Sequence, residues 1–399
     1  MGKKDNYLLS VNKKCREGNL LRILLFNWRS VLNLNAGGAE IHLYEIFSRI
    51  AEKNQIHLIA SCDNEQITAQ QLRSGKLDIS HVTKHEFLYP FFSLKALPKI
   101  LAKKFDMIVE DISKVPIFWP LLISKLISTP FMVIVHHVHG KTLYKELSSV
   151  LAHFVYVYEL TMLKFYALFK PYVVTVSEST KRELEKIGFK TERIWVVYNA
   201  VAQSTETTSK FKSSEPLVVY VGRVKRYKRP DHLLKAIKKV PNCLLIIAGK
   251  GDRDVYENLR ELAEELHLDT RVQLVGEVSE EEKRSILQKA WLYAATSMKE
   301  GFGISVLEAQ AFGVPVVAYN VFGLNESVQN MRSGVLVPDG DVAGLAKAIN
   351  LLISDFRLRD KLSKGAISFA SSFSWDKSAE KFLVIIDKIA KIDGCAADE

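Results

Sequence analysis

The most informative segment of the sequence is EGFGISVLEAQAFGVPVVA, residues 300–318. Glu300 and Glu308 stand in it with seven residues between them, and a Gly-Phe-Gly turn follows the first glutamate. The glycines allow close approach of the backbone, and a helix start presents unpaired N–H groups and a positive dipole to an anion. The segment therefore predicts a ligand with phosphate in its middle and hydroxyl groups at its ends, as in a sugar nucleotide. The alternative is that both glutamates only cap and solvate a helix.

Length, charge and cysteines set the broad class. At 399 residues the chain exceeds the size at which one core usually stops growing, which predicts two domains. A net charge of +10 favours an anionic partner, which could be nucleic acid, a membrane surface or a phosphorylated substrate. The four cysteines are scattered without metal-binding spacing, so we expect reduced thiols in the cytosol and no metal cluster.

Strand-like and helical segments alternate through the first half of the chain. The buried strand-like run at 21–28 is followed by a glycine pair and by helical periodicity that begins at Gly38. Strand, glycine turn and helix are typical of a phosphate-binding turn, although the full GxGxxG pattern is missing. Further strand-like runs continue to about residue 200, which predicts a parallel sheet covered by helices on both faces.

Three histidines follow the strand-like run that begins at residue 130. His136, His137 and His139 lie at the predicted carboxyl edge of the sheet, where open α/β folds bind their ligands. They invite a zinc hypothesis, but no further cluster with ligand spacing accompanies them.

Three segments of the first half are unusually aromatic and basic, at 87–105, 115–127 and 151–170. None is a convincing transmembrane span, because charges or prolines interrupt each of them. One interpretation is core helices with basic outer faces. The other is a surface that rests on an anionic bilayer, with apolar side chains inserted and lysines at the headgroups.

The second half begins with a strand-like run, a Gly-Arg turn, a basic loop and a helix opened by Pro230. Arg223 offers a planar fork for phosphate and Lys228 a mobile charge. The same basic loop could bind nucleic acid, but no nucleic-acid-binding motif accompanies it. Two Asp-any-Asp pairs, at 252–254 and 339–341, resemble a metal motif but are better interpreted as turns.

The Glu300 to Glu308 segment resembles the signature of the retaining glycosyltransferases of family 4. The resemblance implies the α/β GT-B fold, in which two Rossmann-like domains face each other across a cleft and a C-terminal helix crosses back to the first domain. We expect a flexible tail at 1–20, an acceptor domain at 21–201, a nucleotide-sugar donor domain at 216–374 and the crossing helix at 375–399. The polar, Ser/Thr-rich segment 202–215 predicts the linker.

The resemblance also implies roles for single residues. Glu308 would hold the ribose hydroxyls, Glu300 would touch the transferred sugar, and His136 would steady positive charge or sugar hydroxyls from the first domain. Glu300 and His136 are thus the predicted catalytic residues. The predicted donor-binding residues are Gly38, Arg223, Lys228, Gly301, Phe302, Gly303, Ile304 and Glu308.

Partners and cofactors follow from the same resemblance. We expect transfer from a UDP- or GDP-sugar to a hydroxyl of a glycan or lipid-linked acceptor in the cytoplasm, with peripheral contact to the anionic inner face of the cell membrane and no nucleic acid. Because Arg223, Lys228 and the helix start can neutralise a diphosphate, we expect no metal site and no requirement for a divalent metal or other cofactor. The alternatives are a sugar-nucleotide epimerase of the same architecture and a non-catalytic sugar-nucleotide-binding scaffold.

Overall fold

The computed structural model describes residues 20–63, 77–102, 105–112, 116–202 and 212–395, with side chains described as far as residue 389. Most of the predicted tail at 1–20 and of the predicted linker at 202–215 lies outside these residues, and the domain boundaries stay predictions. Within the described ranges the chain forms two parallel sheets.

The first sheet has seven strands, and their runs are buried on both faces, which fits a sheet covered by helices on each side. They are β1 (Arg22–Arg29), β2 (Gln55–Ser61), β3 (Leu77–Thr83), β4 (Met107–Asp111), β5 (Phe131–Val135), β6 (Tyr172–Thr175) and β7 (Ile194–Val196). All pair in parallel, in the order β3-β2-β1-β4-β5-β6-β7. The edge strand β3 is the exception to full burial, with side chains that are half-buried or exposed.

Among the described residues, seven α-helices accompany this sheet. They are α1 (Gly38–Ala51), α2 (Tyr89–Phe92), α3 (Leu97–Ala102), α4 (Trp119–Leu126), α5 (Leu143–Glu146), α6 (Ser149–Leu168) and α7 (Glu178–Ile187). Helix α1 begins at Gly38 as predicted, because the backbone N–H of the N-cap Gly37 donates to Glu40 Oε2 at 2.8 Å. Ser177 caps α7 by accepting from the backbone N–H of Thr180.

The second sheet has six parallel strands in the order β10-β9-β8-β11-β12-β13. They are β8 (Leu217–Val221), β9 (Leu244–Ala248), β10 (Val272–Gly276), β11 (Leu292–Ala295), β12 (Val316–Tyr319) and β13 (Gly334–Val337). Its helices are α8 (Pro230–Ile237), α9 (Arg253–Glu265), α10 (Glu280–Lys289), α11 (Ile304–Ala311), α12 (Leu324–Ser327), α13 (Val342–Ser354) and α14 (Phe356–Ala370). Helix α10 begins with a capping box between Ser279 and Glu282, and the Asp341 side chain caps α13 by accepting from the backbone N–H of Gly344.

The last helix, α15 (Trp375–Cys395), returns to the first domain and packs on α1. The rings of Phe47 and Phe382 meet edge to face at 5.1 Å, and Ile385 and Ile389 are buried in the same core. Two Rossmann-like sheets and a crossing C-terminal helix confirm the predicted architecture. No helix among the described residues is long and apolar enough to cross a membrane.

Both sheets reverse their strand order beside their first strand, between β1 and β4 and between β8 and β11. In open α/β sheets, such switch points at the carboxyl ends of the strands form the ligand crevice. The two crevices face each other, because a Cβ atom placed on Gly37 would lie 3.0 Å from Arg223 Cζ. One cleft between the two sheets therefore collects the loops that carry the predicted site residues.

The buried carboxylate of Glu110 connects β4 to the segment that precedes α4 and to helix α6. Glu110, at the end of β4, accepts hydrogen bonds from Ile117 N at 2.9 Å and from the Tyr166 hydroxyl at 2.6 Å. That hydroxyl accepts in turn from Phe118 N at 2.8 Å. Burial raises the pKa of Glu110 to about 7, against the lowering effect of these hydrogen bonds.

Glu110 should make stability depend on pH near neutrality. Its pKa rises from 4.5 to about 7 on folding, so between these values the native state holds a proton that the unfolded chain has lost. The free energy of unfolding should therefore fall as pH rises through this window, by about 3 kcal/mol. Glu110→Gln cannot titrate there, so urea unfolding between pH 5 and 8 should show a flatter pH dependence for this variant. Parallel pH dependences would contradict the assignment.

Candidate active site

An ion pair between Lys228 and Glu300 lies at the centre of the cleft. Lys228 Nζ is 2.7 Å from Glu300 Oε1, and the two side chains are only 11% and 15% exposed. The Ser297 hydroxyl donates to the same carboxylate oxygen at 2.6 Å. Burial alone would lower the pKa of Lys228, but the Glu300 carboxylate outweighs it and raises this pKa well above its usual value. The lysine is therefore held as a cation.

The basic loop that carries Lys228 is fixed from the end of β11. The Thr296 hydroxyl lies 2.9 Å from the carbonyl oxygens of both Lys228 and Arg229. The Arg229 guanidinium reaches the carbonyls of Thr296 and Ser297 at 2.8 and 3.0 Å. Because the same segment leads into Glu300, lysine and glutamate are positioned by one continuous set of hydrogen bonds.

The turn after Glu300 brings the two domains into close approach. A Cβ atom on Gly301 would lie 2.6 Å from the carbonyl oxygen of His136, so only glycine fits there. Gly303 has φ +85° and serves as N-cap of α11. Ile304 follows, and its Cδ1 would lie 3.1 Å from a Cβ on Gly38.

Phe302 anchors this turn from behind. Its side chain is 1% exposed, and its ring packs against Tyr198 at 5.3 Å and Phe373 at 5.4 Å. Val176 and Val201 of the first domain join the same apolar cluster. Any contact of Phe302 with a ligand would therefore use its backbone.

Glu308 lies on α11 and forms an ion pair with Lys283, a residue outside the Glu300 to Glu308 segment. Lys283 Nζ, on α10, is 2.7 Å from Glu308 Oε1 and 2.8 Å from Glu280 Oε2. Burial raises the pKa of Glu308, and Lys283 opposes this shift. The Glu308 side chain is 27% exposed, so a hydroxyl donor can reach its carboxylate.

Arg223 is the second predicted cation for a diphosphate. Its side chain is exposed, and its guanidinium faces Gly37 at the start of α1. The neighbouring cations of the loop are already paired with carboxylates: Lys225 with Asp252 at 2.6 Å, Arg226 with Asp254, and Arg229 with Asp339. Three of the four aspartates of the Asp-any-Asp pairs are thus ion-pair partners of the basic loop.

His136 lies on the side of the cleft that the first domain forms. Its Nε2 lies 3.2 Å from both carboxylate oxygens of Asp111, at the end of β4. Burial would lower the pKa of His136, but the Asp111 carboxylate raises it. The buried His42 ring, held by Asn199, packs edge to face against His136 at 5.0 Å between ring centroids.

The rings of the other two histidines, His137 and His139, lie 4.3 Å apart between their centroids. His139 Nδ1 lies 2.8 Å from Glu159 Oε1, and burial lowers the pKa of His137 well below its usual value. Among the residues whose side chains are described, no group of three or more His, Cys, Asp or Glu could hold a metal ion. The side chains of Cys62 and Cys243 are buried.

The structure thus brings Gly38, His136, Arg223, Lys228 and Glu300 to one cleft, with Glu308 on the adjoining helix. Sequence reasoning missed Lys283, Asp111 and Lys299. Asp111 could have been found, because it ends a buried strand at the carboxyl edge of the sheet. The residues that Lys283 and Lys299 contact lie on other helices and loops, so no local sequence pattern predicts these two lysines as site residues.

Comparison with known proteins identifies the family. The model of "Glycosyltransferase Family 4" matches residues 36–204, and that of "Glycosyl transferases group 1" matches residues 203–369. Among curated proteins, the D-inositol 3-phosphate glycosyltransferase of Mycobacteroides abscessus is 34% identical over 175 residues, which are 43% of this chain and 39% of that protein. That of Corynebacterium diphtheriae is 32% identical over 185 residues, 44% of this chain and 43% of that protein. The match spans about two fifths of the length of these relatives.

Solved structures extend the fold comparison to nearly the whole chain. Anabaena HepE in complex with UDP and glucose superposes with a TM-score of 0.74 at 20% identity, over 92% of this chain and 100% of that chain. Sucrose-phosphate synthase from Thermosynechococcus elongatus gives a TM-score of 0.73 at 19% identity, over 92% of this chain and 99% of that chain. With the two matched family models, the two facing sheets and the crossing helix, the chain belongs to glycosyltransferase family 4 and has its GT-B fold.

Proposed function

We propose that the chain transfers a sugar from a nucleoside-diphosphate sugar to a hydroxyl group, with retention of anomeric configuration. The observation that carries the proposal is the buried Lys228–Glu300 pair, which sits where the two crevices face each other. A donor diphosphate can take over the Lys228 ammonium and the Arg223 fork. Glu300, released from its partner, can then accept from a hydroxyl of the transferred sugar.

The environment of His136 divides the work between its ring and its backbone. The ring is paired with Asp111, which favours the protonated imidazolium, and a cation suits donation to a sugar hydroxyl rather than stabilisation of positive charge. The carbonyl oxygen of His136 faces Gly301 and carries the negative end of a dipole. The carbonyl is therefore suited to stabilise positive charge on the sugar, and the ring is suited to orient the sugar through one of its hydroxyls.

The acceptor belongs to the first domain in this proposal. The relatives named above are D-inositol 3-phosphate glycosyltransferases, so a phosphorylated polyol is one acceptor to test beside glycans and lipid-linked acceptors. Neutralisation of the leaving diphosphate by Arg223, Lys228 and the start of α11 supports a reaction that needs no divalent metal.

Calorimetric titration of the protein with UDP, GDP and ADP tests the donor site. We expect one of these nucleotides to bind with a micromolar dissociation constant, because Glu308 and the cations recognise parts that every such donor shares. The nucleotide that binds most tightly identifies the base of the donor. Failure of all three to bind at millimolar concentration would contradict the proposal, whereas binding without turnover of any nucleotide sugar would favour the scaffold alternative.

An apolar surface of the first domain supports contact with an anionic membrane. On the 20-residue helix α6 most of the exposed side chains are apolar, with Phe154 69% exposed, and Lys164 is exposed among them. Helix α4 joins it through the contact of Phe118 with Phe165, and exposes Leu126. Phe91 is also exposed on the preceding segment, beside Lys95. Aromatic and aliphatic groups interspersed with lysines suit insertion among acidic headgroups.

Removing this surface should release the protein from lipid. In flotation with vesicles containing 30% anionic lipid, about as acidic as a PS-rich leaflet, the wild type should float and Phe91→Ser/Leu126→Ser/Phe154→Ser should stay in the soluble fraction, with partitioning at least about tenfold lower. Phe356→Ser removes an equally exposed phenylalanine from the second domain and should float like the wild type. Equal flotation of both variants, or no flotation of the wild type, would contradict membrane contact through this face.

A further inference from the structure

The loop after β5, residues 136–140, approaches the turn that follows Glu300. The carbonyl of His136 occupies the space in which a side chain at Gly301 would stand. Any displacement of this loop would move both the His136 ring and its carbonyl relative to the sugar position beside Glu300. The contacts that fix the loop therefore bear on the site.

One contact comes from behind, from α6. The buried Glu159 carboxylate accepts from His139 N at 2.8 Å and from Gly140 N at 3.0 Å, and its Oε1 lies 2.8 Å from His139 Nδ1. Glu159 is 7% exposed on a helix whose outer face is apolar. A buried carboxylate with three donors from one short loop holds that loop in a single conformation.

The other contact comes across the cleft, from the second domain. Lys299 Nζ lies 2.6 Å from the carbonyl oxygen of Val138 and 2.6 Å from Glu183 Oε1 on α7. The lysine side chain is largely buried. It directly precedes Glu300 in the chain, so the movement that seats Lys299 on the loop also brings Glu300 to it.

A second bond between the domains follows the same arrangement. Tyr227 N, next to Lys228, donates to Glu146 Oε1 at 2.9 Å, and Glu146 belongs to the short helix α5 that follows the loop. Both members of the Lys228–Glu300 pair thus have a chain neighbour bonded to the segment between β5 and α6. Seating of the segment and assembly of the pair are geometrically linked.

We propose that Glu159 and Lys299 are positioning residues that clamp the loop 136–140 from its two sides, so that closure of the domains over the donor places His136 against Glu300. The inference rests on the function proposed above and assigns to both residues an action through the loop, without contact to the donor nucleotide. Loss of either clamp should lower turnover, and loss of both should cost little more than loss of one, since each acts on the same loop.

The test uses Lys299→Met, Glu159→Gln and the double variant of the full chain. Lys299→Arg keeps the cationic donor, and Lys164→Met removes an exposed lysine from α6 as a control. We expect kcat to fall at least tenfold in each single variant and to stay within threefold in the two controls. The dissociation constant for the nucleoside diphosphate should change less than threefold, and amide hydrogen exchange of residues 136–142 should speed up at least tenfold in both single variants.

Activity and exchange separate the failure of the clamp from the failure of the enzyme. If the wild type turns over a nucleotide sugar and both single variants keep kcat within twofold, the clamp is overturned. If the wild type turns over none, the proposed function fails. Unchanged loop exchange in Lys299→Met would then still overturn the clamp, because this contact crosses from the other domain. Should Glu159→Gln not fold, Lys299→Met decides alone.

Discussion

Lys228→Ala is expected to lower kcat by about 10²–10³-fold, which is about 2.7–4 kcal/mol in the barrier and the scale for loss of one preorganised group aimed at developing charge. Breaking the sugar–phosphate bond leaves negative charge on the diphosphate. The Lys228 ammonium, held in place opposite Glu300, is the buried cation available to neutralise it. The measurement is release of nucleoside diphosphate under saturating donor and acceptor.

Two controls make this result specific. Lys225→Ala removes a lysine of the same loop whose partner is the exposed Asp252, and it should leave kcat within about twofold, since exposed pairs contribute little. Excess EDTA should leave wild-type activity unchanged, because protein cations replace a metal in the proposed reaction. Activity that vanishes in EDTA and returns with magnesium or manganese would contradict the mechanism, as would normal turnover in Lys228→Ala.

Glu308→Ala is expected to weaken nucleotide binding by about 1–3 kcal/mol, roughly 5- to 150-fold in the dissociation constant. The carboxylate would otherwise accept from the ribose hydroxyls, and a buried ligand hydroxyl without its partner loses that hydrogen bond. Glu300→Ala should instead act mainly on kcat, since its place is beside the transferred sugar. Calorimetry and steady-state kinetics on both variants separate the two effects.

Glu280→Ala is the matched control for Glu308. Glu280 shares Lys283 with Glu308, but its side chain is 85% exposed. Its removal should leave the dissociation constant for the nucleotide within about twofold, because an exposed partner contributes little. Equal weakening in Glu280→Ala and Glu308→Ala would indicate that Lys283, and not a ribose contact of Glu308, determines affinity.

Much of the fold was predictable because parallel strands buried on both faces are continuous apolar runs. The strands at 21–28 and 130–138 are such runs, and a glycine pair marks the helix start at Gly38. Strand β3 was not predicted, since an edge strand whose side chains are half-buried or exposed has no continuous apolar run. For the segment of helix α6 the sequence left two interpretations, a core helix with a basic outer face or a surface that rests on a membrane. Most of the exposed side chains of α6 are apolar.

The site was predictable only as far as the motif reaches. Glu300, Glu308, Arg223 and Lys228 stand at fixed spacings within single segments. Their partners do not: Lys283 lies 25 residues from Glu308, and Lys299 lies 161 residues from the carbonyl that it contacts. Such pairs depend on how the sheets face each other, which no spacing along the chain encodes.

The most direct test of the proposed function is to measure turnover of a nucleotide sugar. The purified protein, with EDTA present, would be incubated with UDP- and GDP-sugars and with polyol phosphate, glycan and lipid-linked acceptors, and the free nucleoside diphosphate and the anomeric configuration of the product would be measured. We expect release of one nucleotide, a product with the anomeric configuration of the donor, and turnover about 10²–10³-fold lower in Lys228→Ala. No release with any donor, or a product of inverted configuration, would contradict the proposed function.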